Sequence, residues 1–240
     1  MQVRRYLVIA LISLTLIPLE LSWTRIFSAE FFYTFAFLIL SLAILGLGLG
    51  ALALRLFRSL DRPARLGGYL AAAGLLALVG PLLVFKLGLD FSSLFSDWTM
   101  VGRLLLTVII LMSSYFFGGL ALALLFKQYH QDMPRLYMYD LLGAGIGVLA
   151  ALWLMNWFGT PVAAFLIPLP ILAASFLSTS GWPRLFTTAL VAVALFMTPA
   201  ADDLLQVDRA ERAPVIYTHW DALSKIKVYH FGDEYRGINI

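Results

Sequence analysis

The chain has 240 residues, of which 61% are hydrophobic and only 13% are charged, and its formal net charge is +3. A soluble domain carries about 25% charged residues, and a chain with a mean hydropathy of +0.88 cannot hide so much apolar surface inside one globule. This composition excludes an ordinary soluble enzyme, a disordered protein and a nucleic-acid binder, because the basic residues are scattered and form no stripe. The lack of cysteine excludes disulfides, thiolate metal ligands and a cysteine nucleophile.

Seven apolar stretches predict transmembrane helices, since about 20 apolar residues in a helix span the roughly 30 Å hydrocarbon core. In chain order they cover residues 6–23, 31–54, 68–89, 104–126, 139–158, 163–177 and 185–199. The sixth stretch is short and contains Pro168 and Pro170, which remove backbone donors and leave open whether it crosses or re-enters. The sequence therefore predicts an all-α membrane protein with its helical domain over residues 1–200.

Lysine and arginine are concentrated in one set of loops, which is typical of the cytoplasmic side of a polytopic protein. This set comprises the N-terminus and the loops after the second, fourth and sixth stretches: Arg4, Arg5, Arg55, Arg58, Arg62, Arg65, Lys127, Arg135 and Arg184. The opposite loops contain Arg25, Lys86 and Arg103. We expect an integral protein of a bacterial inner membrane with a cytoplasmic N-terminus. Seven crossings place the C-terminal tail outside, whereas a re-entrant sixth stretch places it inside.

The tail differs in kind from the helical part, since the last 40 positions contain seven of the 14 acidic residues. Residues 201–213 indicate a polar linker. Residues 225–231 alternate like a strand, residues 232–234 have the composition of a turn, and residues 235–240 can return as a second strand. One hairpin alone is marginal in water. We therefore expect residues 214–240 to begin a truncated soluble domain with a β-hairpin.

Glu20 is the most unfavourable residue of the predicted bundle, because an ionisable side chain inside a membrane helix is expensive to desolvate. One interpretation is structural: Glu20 lies at the interface and pairs with Arg25 or with an adjacent helix end. The other interpretation is a role in a ligand or ion site. Pro18 frees a backbone carbonyl two residues earlier, which suits both interpretations.

Glycines at intervals of four residues predict close helix contacts. Gly143 and Gly147 form a small-xxx-small pair in the fifth stretch, and Gly46 and Gly50 repeat this spacing in the second. Such pairs let two membrane helices approach closely, so we predict that these four glycines serve helix packing.

Asp140 opens the fifth predicted helix, where an acidic side chain suits the helix dipole and can act as a cap. The alternative is a polar anchor inside the bundle that faces a cavity together with Tyr137 or Tyr139.

The sequence offers no constellation for catalysis or metal binding. The histidines are His130, His219 and His230, and none has a partner three or four residues along the chain. No phosphate-binding loop, zinc-peptidase motif or Ser/His/Asp arrangement is present. We therefore assign no catalytic residue, no metal ligand and no cofactor to this chain.

Four patches share a pattern with a known family. They are residues 19–27 (LELSWTRIF), the glycine-rich second helix with its arginine-rich loop, residues 139–147 (YDLLGAGIG) and residues 220–228 (WDALSKIKV). Together they resemble membrane-anchored spermidine synthase-like proteins, which are polyamine aminopropyltransferase homologues with a polytopic N-terminal domain. The third patch is similar to that family's Asp-Leu-x-Gly-Ala-x-x-Gly helix. The fourth is similar to the entry of its soluble domain, with Lys225 where arginine is usual.

The resemblance implies a membrane domain that anchors, or supplies substrate to, a C-terminal aminopropyltransferase-type Rossmann domain absent from this chain. That second domain would bind decarboxylated S-adenosylmethionine and hold the polyamine, so whether this chain takes part in an enzyme is left open. For a cationic polyamine we consider Glu20, Arg25, Tyr137 and Asp140 as substrate-binding candidates. The expected surroundings are lipid and a homo-oligomer or larger membrane complex, with no nucleic acid.

Two other functions fit the composition. A small-molecule transporter fragment would use broken helices, which Pro18, Pro168 and Pro170 could supply. A structural subunit of a larger membrane complex would use the six tryptophans and 18 phenylalanines for packing against lipid and partner chains.

Overall fold

The computed structural model describes residues 2–89, 97–207, 213–230 and 236–239. These ranges contain nine α-helices: α1 (Gln2–Glu30), α2 (Phe35–Leu56), α3 (Leu66–Lys86), α4 (Trp98–Gln128), α5 (Met133–Phe158), α6 (Thr160–Leu166), α7 (Leu169–Ser178), α8 (Trp182–Met197) and α9 (Ala201–Leu204). They also contain three strands: β1 (Val215–Trp220), β2 (Lys225–His230) and β3 (Arg236–Asn239).

Seven helical segments are long and apolar enough to cross a membrane: residues 3–30, 35–56, 63–86, 98–128, 130–158, 160–178 and 183–204. Each coincides with one of the seven predicted stretches, so the chain is a predominantly helical protein with the composition of a membrane protein. Only 22% of the apolar window of α5, and likewise of α8, is buried within the protein. Apolar helix faces left outside in this way are expected where lipid is the solvent.

Polar ends extend two helices beyond the apolar stretches that predict them. α4 begins at Trp98, where the Asp97 carboxylate accepts a hydrogen bond of 2.8 Å from the Thr99 backbone N–H. The hydrogen bonds from Thr99 hold the pKa of Asp97 below its ordinary value. α5 begins at Met133, so Asp140 lies well inside the helix and its interpretation as a cap is wrong. Hydropathy marks the apolar part of a helix and misses the polar turns that precede it.

α1 and α5 run parallel and touch through glycine. A Cβ atom at Gly143 would collide with the backbone of Ala10, and one at Gly147 would lie 2.9 Å from the carbonyl oxygen of Leu14. From Gly143 to Gly147 on α5, the contacted residue on α1 advances from Ala10 to Leu14. The two helices therefore run in the same direction and pack closely through small residues.

α2 and α4 form a second parallel contact of the same kind. A Cβ atom at Gly46 would lie 2.8 Å from the carbonyl oxygen of Met112, and one at Gly50 would collide with the carbonyl of Phe116. Two backbone-to-backbone crossings therefore set the close spacing of four of the seven spanning segments.

The sixth predicted stretch crosses the bundle as two helices, α6 and α7, with Pro168 between them. The backbone N–H of Ile171 donates to the Thr15 hydroxyl of α1 at 3.0 Å, so a neighbouring helix satisfies a donor near the break. α6 follows directly on the end of α5, and Ser175 of α7 donates to the Gly67 carbonyl at the start of α3 at 2.8 Å. The pair of helices thus runs from one end of the bundle to the other.

Ion pairs gather the basic segments at one end of the bundle. Arg5 near the start of α1 pairs with Asp132 before α5, and Lys127 at the end of α4 pairs with Asp61 after α2 at 2.5 Å. The assignment of this end to the cytoplasm stays a prediction.

The tail forms a small antiparallel sheet with strand order β1-β2-β3. β2 and β3 correspond to the predicted hairpin, whose turn at residues 232–234 lies outside the described residues. β1 is added by the pairing of Trp220 with Lys225, which makes three strands of the described tail. Three strands are more readily stable than two. Within the predicted linker, Leu205 is buried against the bundle.

Candidate functional site

A buried ion pair joins the tail to the end of α1. Lys225, the first residue of β2, donates to the carboxylate of Glu30, the last residue of α1, and the two side chains are only 7% and 6% exposed. The backbone N–H of Val207 donates to the second Glu30 oxygen at 2.9 Å, and the Lys225 ammonium lies 4.7 Å from the centroid of the Trp220 ring. Because both charges are desolvated, the pair fixes β2 relative to α1.

Two further hydrogen bonds hold the β1–β2 turn against the junction of α5 and α6. The backbone N–H of Ala222 donates to Asn156 Oδ1 at 3.0 Å, and the Thr160 hydroxyl donates to the Asp221 carbonyl at 2.7 Å. Gly159 makes the sharp bend between the helices with a φ of +84°, a conformation that favours glycine. The tail is therefore docked on one end of the bundle, at the C-terminal ends of α1 and α5.

The β1–β2 turn is stabilised by its own aspartate. The Asp221 carboxylate accepts hydrogen bonds of 2.6 Å from the backbone N–H groups of Leu223 and Ser224. Burial opposes ionisation, but the hydrogen bonds from Leu223 and Ser224 outweigh it and hold the pKa of Asp221 below its ordinary value. This local turn presents Ala222 and Lys225 to the bundle in a fixed geometry.

Glu20 lies in a groove on the flank of the bundle between α1, α2 and α5. The groove encloses about 280 Å³ and is lined by Ile17, Glu20, Leu21, Thr24, Ala36, Phe37, Leu40 and Val148. Within the described ranges the Glu20 carboxylate has neither an ion pair nor a hydrogen bond. The predicted pairing with Arg25 is not observed, since five residues separate the two side chains by about 140° around the helix.

Asp140 is held by α1. The Ser13 hydroxyl donates to the Asp140 carboxylate across the α1–α5 contact. Tyr139 stacks on Tyr6 with ring centroids 4.9 Å apart, whereas Tyr137 is 56% exposed on the outside of the bundle. Of the two interpretations of Asp140, the geometry matches a polar anchor between helices, without Tyr137 beside it.

The four substrate-binding candidates are not gathered in one place. Asp140 meets α1 at Ser13, and Glu20 follows seven residues later, which is about 10 Å further along the helix. Arg25 lies further on, half-buried, and its guanidinium has no ion pair among the described residues. Binding of a substrate by these residues stays a prediction.

Sequence reasoning missed the residues that dock the tail: Glu30, Asn156 and Thr160. A signal for Glu30 was present, because a carboxylate at the C-terminal end of a helix opposes the helix dipole and calls for a nearby cation. The identity of that cation was out of reach, since Lys225 follows 195 residues later.

A comparison of this chain with family models, with curated proteins and with solved structures finds no match. The docked tail and the groove at Glu20 therefore carry the functional interpretation.

Proposed function

We propose that this chain is the membrane domain of a spermidine synthase-like protein and that it holds an aminopropyltransferase-type domain against one end of its helical bundle. Three of the patches that carry the sequence resemblance lie on α1, on α5 and in the tail. α1 and α5 pack against each other at Gly143 and Gly147, and the tail packs on the ends of both helices. The three patches thus lie on elements that pack together, which supports a common role for these elements.

The buried pair of Glu30 and Lys225 is the observation that carries the proposal. A flexible tether between two domains would keep its charged side chains in water, where ion pairs contribute little to stability. Here the Lys225 ammonium group is buried against the end of α1, and burying a charge is costly even when it is paired. We take this cost as support for a function of the tail's fixed position. Lys225 also belongs to the patch at residues 220–228 that resembles the entry of the family's soluble domain.

Supply of substrate is the second part of the proposal. Glu20 and Asp140 carry the sign needed to attract a cationic polyamine, and both lie on the α1–α5 side of the bundle. Spermidine binding to the purified protein in nanodiscs is expected to weaken in the variant with both Glu20→Gln and Asp140→Asn. Unchanged affinity would remove this part and leave the anchoring role standing.

The coding sequence beyond codon 240 provides the most direct test. We expect a glycine-rich loop after a strand, followed about 20 residues later by an acidic residue, because these features hold the nucleoside part of the cofactor. Membranes containing the full gene product are expected to transfer an aminopropyl group from decarboxylated S-adenosylmethionine to a diamine. A stop codon directly after Ile240, or a downstream region without these features, would refute the proposal.

A transporter is the second candidate function, favoured by the break between α6 and α7 at Pro168 and by the carboxylate in the groove at Glu20. Uptake of a labelled amine into vesicles that depends on Glu20 would support it. Equal uptake by vesicles with the wild-type chain and with Glu20→Gln would count against it.

A further inference from the structure

The groove at Glu20 opens sideways from the bundle. Three of its apolar lining residues are exposed: Ile17 on α1 by 44%, Phe37 on α2 by 68% and Leu40 on α2 by 44%. These apolar side chains face away from the protein on spanning segments, so the groove opens toward the hydrocarbon of a bilayer. A ligand would enter it from the membrane.

Glu20 lies deep in the membrane on this helix. The spanning segment of α1 runs over residues 3–30, which is about 42 Å of helix. A hydrocarbon core of roughly 30 Å centred on that segment covers about 20 of these residues. Glu20 then lies about 5 Å from the midplane, where an isolated carboxylate is strongly disfavoured.

The protein supplies little to compensate this charge. The buried Tyr115 hydroxyl and Trp23 Nε1 have no hydrogen-bond partner among the described residues, so neither of them donates to the Glu20 carboxylate. Their side chains are 1% and 0% exposed, and the rings meet edge to face at 5.6 Å. Asp140, by contrast, receives a hydrogen bond from Ser13.

We propose that the groove binds a lipid-soluble amine with a single positive charge, its ammonium group on the Glu20 carboxylate and its alkyl part along Ile17, Phe37 and Leu40. One carboxylate matches one cationic charge, and the remaining lining is almost entirely apolar. A divalent cation would need about six oxygen ligands, whereas the lining side chains offer the Glu20 carboxylate and the Thr24 hydroxyl. This site is separate from the docked tail, so it can fail without affecting the proposed anchoring role. It shares Glu20 with the proposed substrate supply, which the spermidine measurement tests separately.

Carbodiimide labelling of the wild-type chain in nanodiscs tests the proposal. Dicyclohexylcarbodiimide dissolves in lipid and converts a protonated buried carboxylic acid into an N-acylurea, which mass spectrometry locates in the chain. N,N-dimethyldodecylamine, a tertiary amine that forms no stable amide with the activated carboxyl group, is expected at ten times its Kd to slow labelling of Glu20 by about tenfold, since it occupies about nine sites in ten. Dodecanol, which has the same alkyl chain without the charge, is expected to leave the rate unchanged.

Variants separate the charge from the shape of the groove. Glu20→Gln is expected to lose N,N-dimethyldodecylamine binding in native mass spectrometry, while Asp140→Asn, which changes the carboxylate paired with Ser13, keeps it. Equal protection by dodecanol and N,N-dimethyldodecylamine would overturn the proposal, as would unchanged amine binding by Glu20→Gln. Labelling that falls as the protein-to-lipid ratio rises, without any amine, would overturn it in favour of a second copy of the chain covering the groove.

Discussion

Substitution of Lys225 by methionine isolates the contribution of the buried ion pair to tail docking. Methionine keeps most of the apolar stem but removes the charge, and the Glu30 carboxylate then stays 6% exposed without its lysine partner, with the Val207 N–H still donating to it. Removing one partner of a buried pair destabilises by about 3–5 kcal/mol. Since about 1.4 kcal/mol corresponds to a factor of ten, the undocked tail should gain roughly 10²- to 10⁴-fold in population.

Hydrogen exchange of the β1 and β2 amides, residues 215–230, measures this population in nanodiscs. Lys127→Met is the matched control, because it removes the same charge from a pair whose side chains are 58% and 33% exposed at the other end of the bundle. An exposed pair contributes about 0–1 kcal/mol, so this control should leave the strands protected. Since the chain contains no cysteine, single cysteines introduced at Tyr217 and Trp157 can also carry spin labels that report undocking as a broadened distance.

Three results would refute this reasoning. In the first, the strands of Lys225→Met are protected as well as those of the control. In the second, exchange rises equally throughout the helices. In the third, the double variant of Lys225→Met with Glu30→Gln loses as much docking free energy as the two single variants summed. The last result would show no coupling between the two side chains, whereas a direct pair requires the losses to be less than additive.

Three other outcomes follow from the geometry. Gly143→Ala should lower the thermal midpoint by an amount equivalent to about 1–3 kcal/mol, because the new methyl group meets the backbone of α1. Gly145→Ala is the control: its methyl group has no atom within 4 Å, so this variant should be neutral or slightly stabilising. Protection of the β1–β2 turn amides from hydrogen exchange should fall as the pH drops through the folded-state pKa of Asp221. That pKa is depressed, so the stabilisation is complete above the unfolded-state pKa of about 3.9 and is lost in acid. Asp221→Asn should remove this pH dependence. Ser13→Ala should lower the thermal midpoint more than Ser113→Ala, because the Ser13 hydroxyl donates to the Asp140 carboxylate of α5, whereas the Ser113 hydroxyl bonds the Ile109 carbonyl within its own helix.

Local patterns in the chain determined the helical framework and the strand-like tail. A stretch of about 20 apolar residues has no stable place in water, so its length and hydropathy predict a spanning helix whatever its neighbours are. The sixth stretch was ambiguous, because its prolines mark a break but not its consequence. A hydroxyl on α1, at Thr15, satisfies a backbone donor beside the break, and no local pattern reports a contact with a residue 156 positions away.

Tertiary structure alone decided which charges meet. Glu20, Glu30 and Asp140 are all carboxylates on spanning segments, and composition treats them alike. The fold gives Asp140 a serine and Glu30 a lysine, and leaves Glu20 in a groove toward lipid without a partner among the described residues. The reason is physical: an apolar stretch finds its solvent independently, whereas the stability of a buried charge depends on which atoms distant parts of the chain bring within hydrogen-bonding distance.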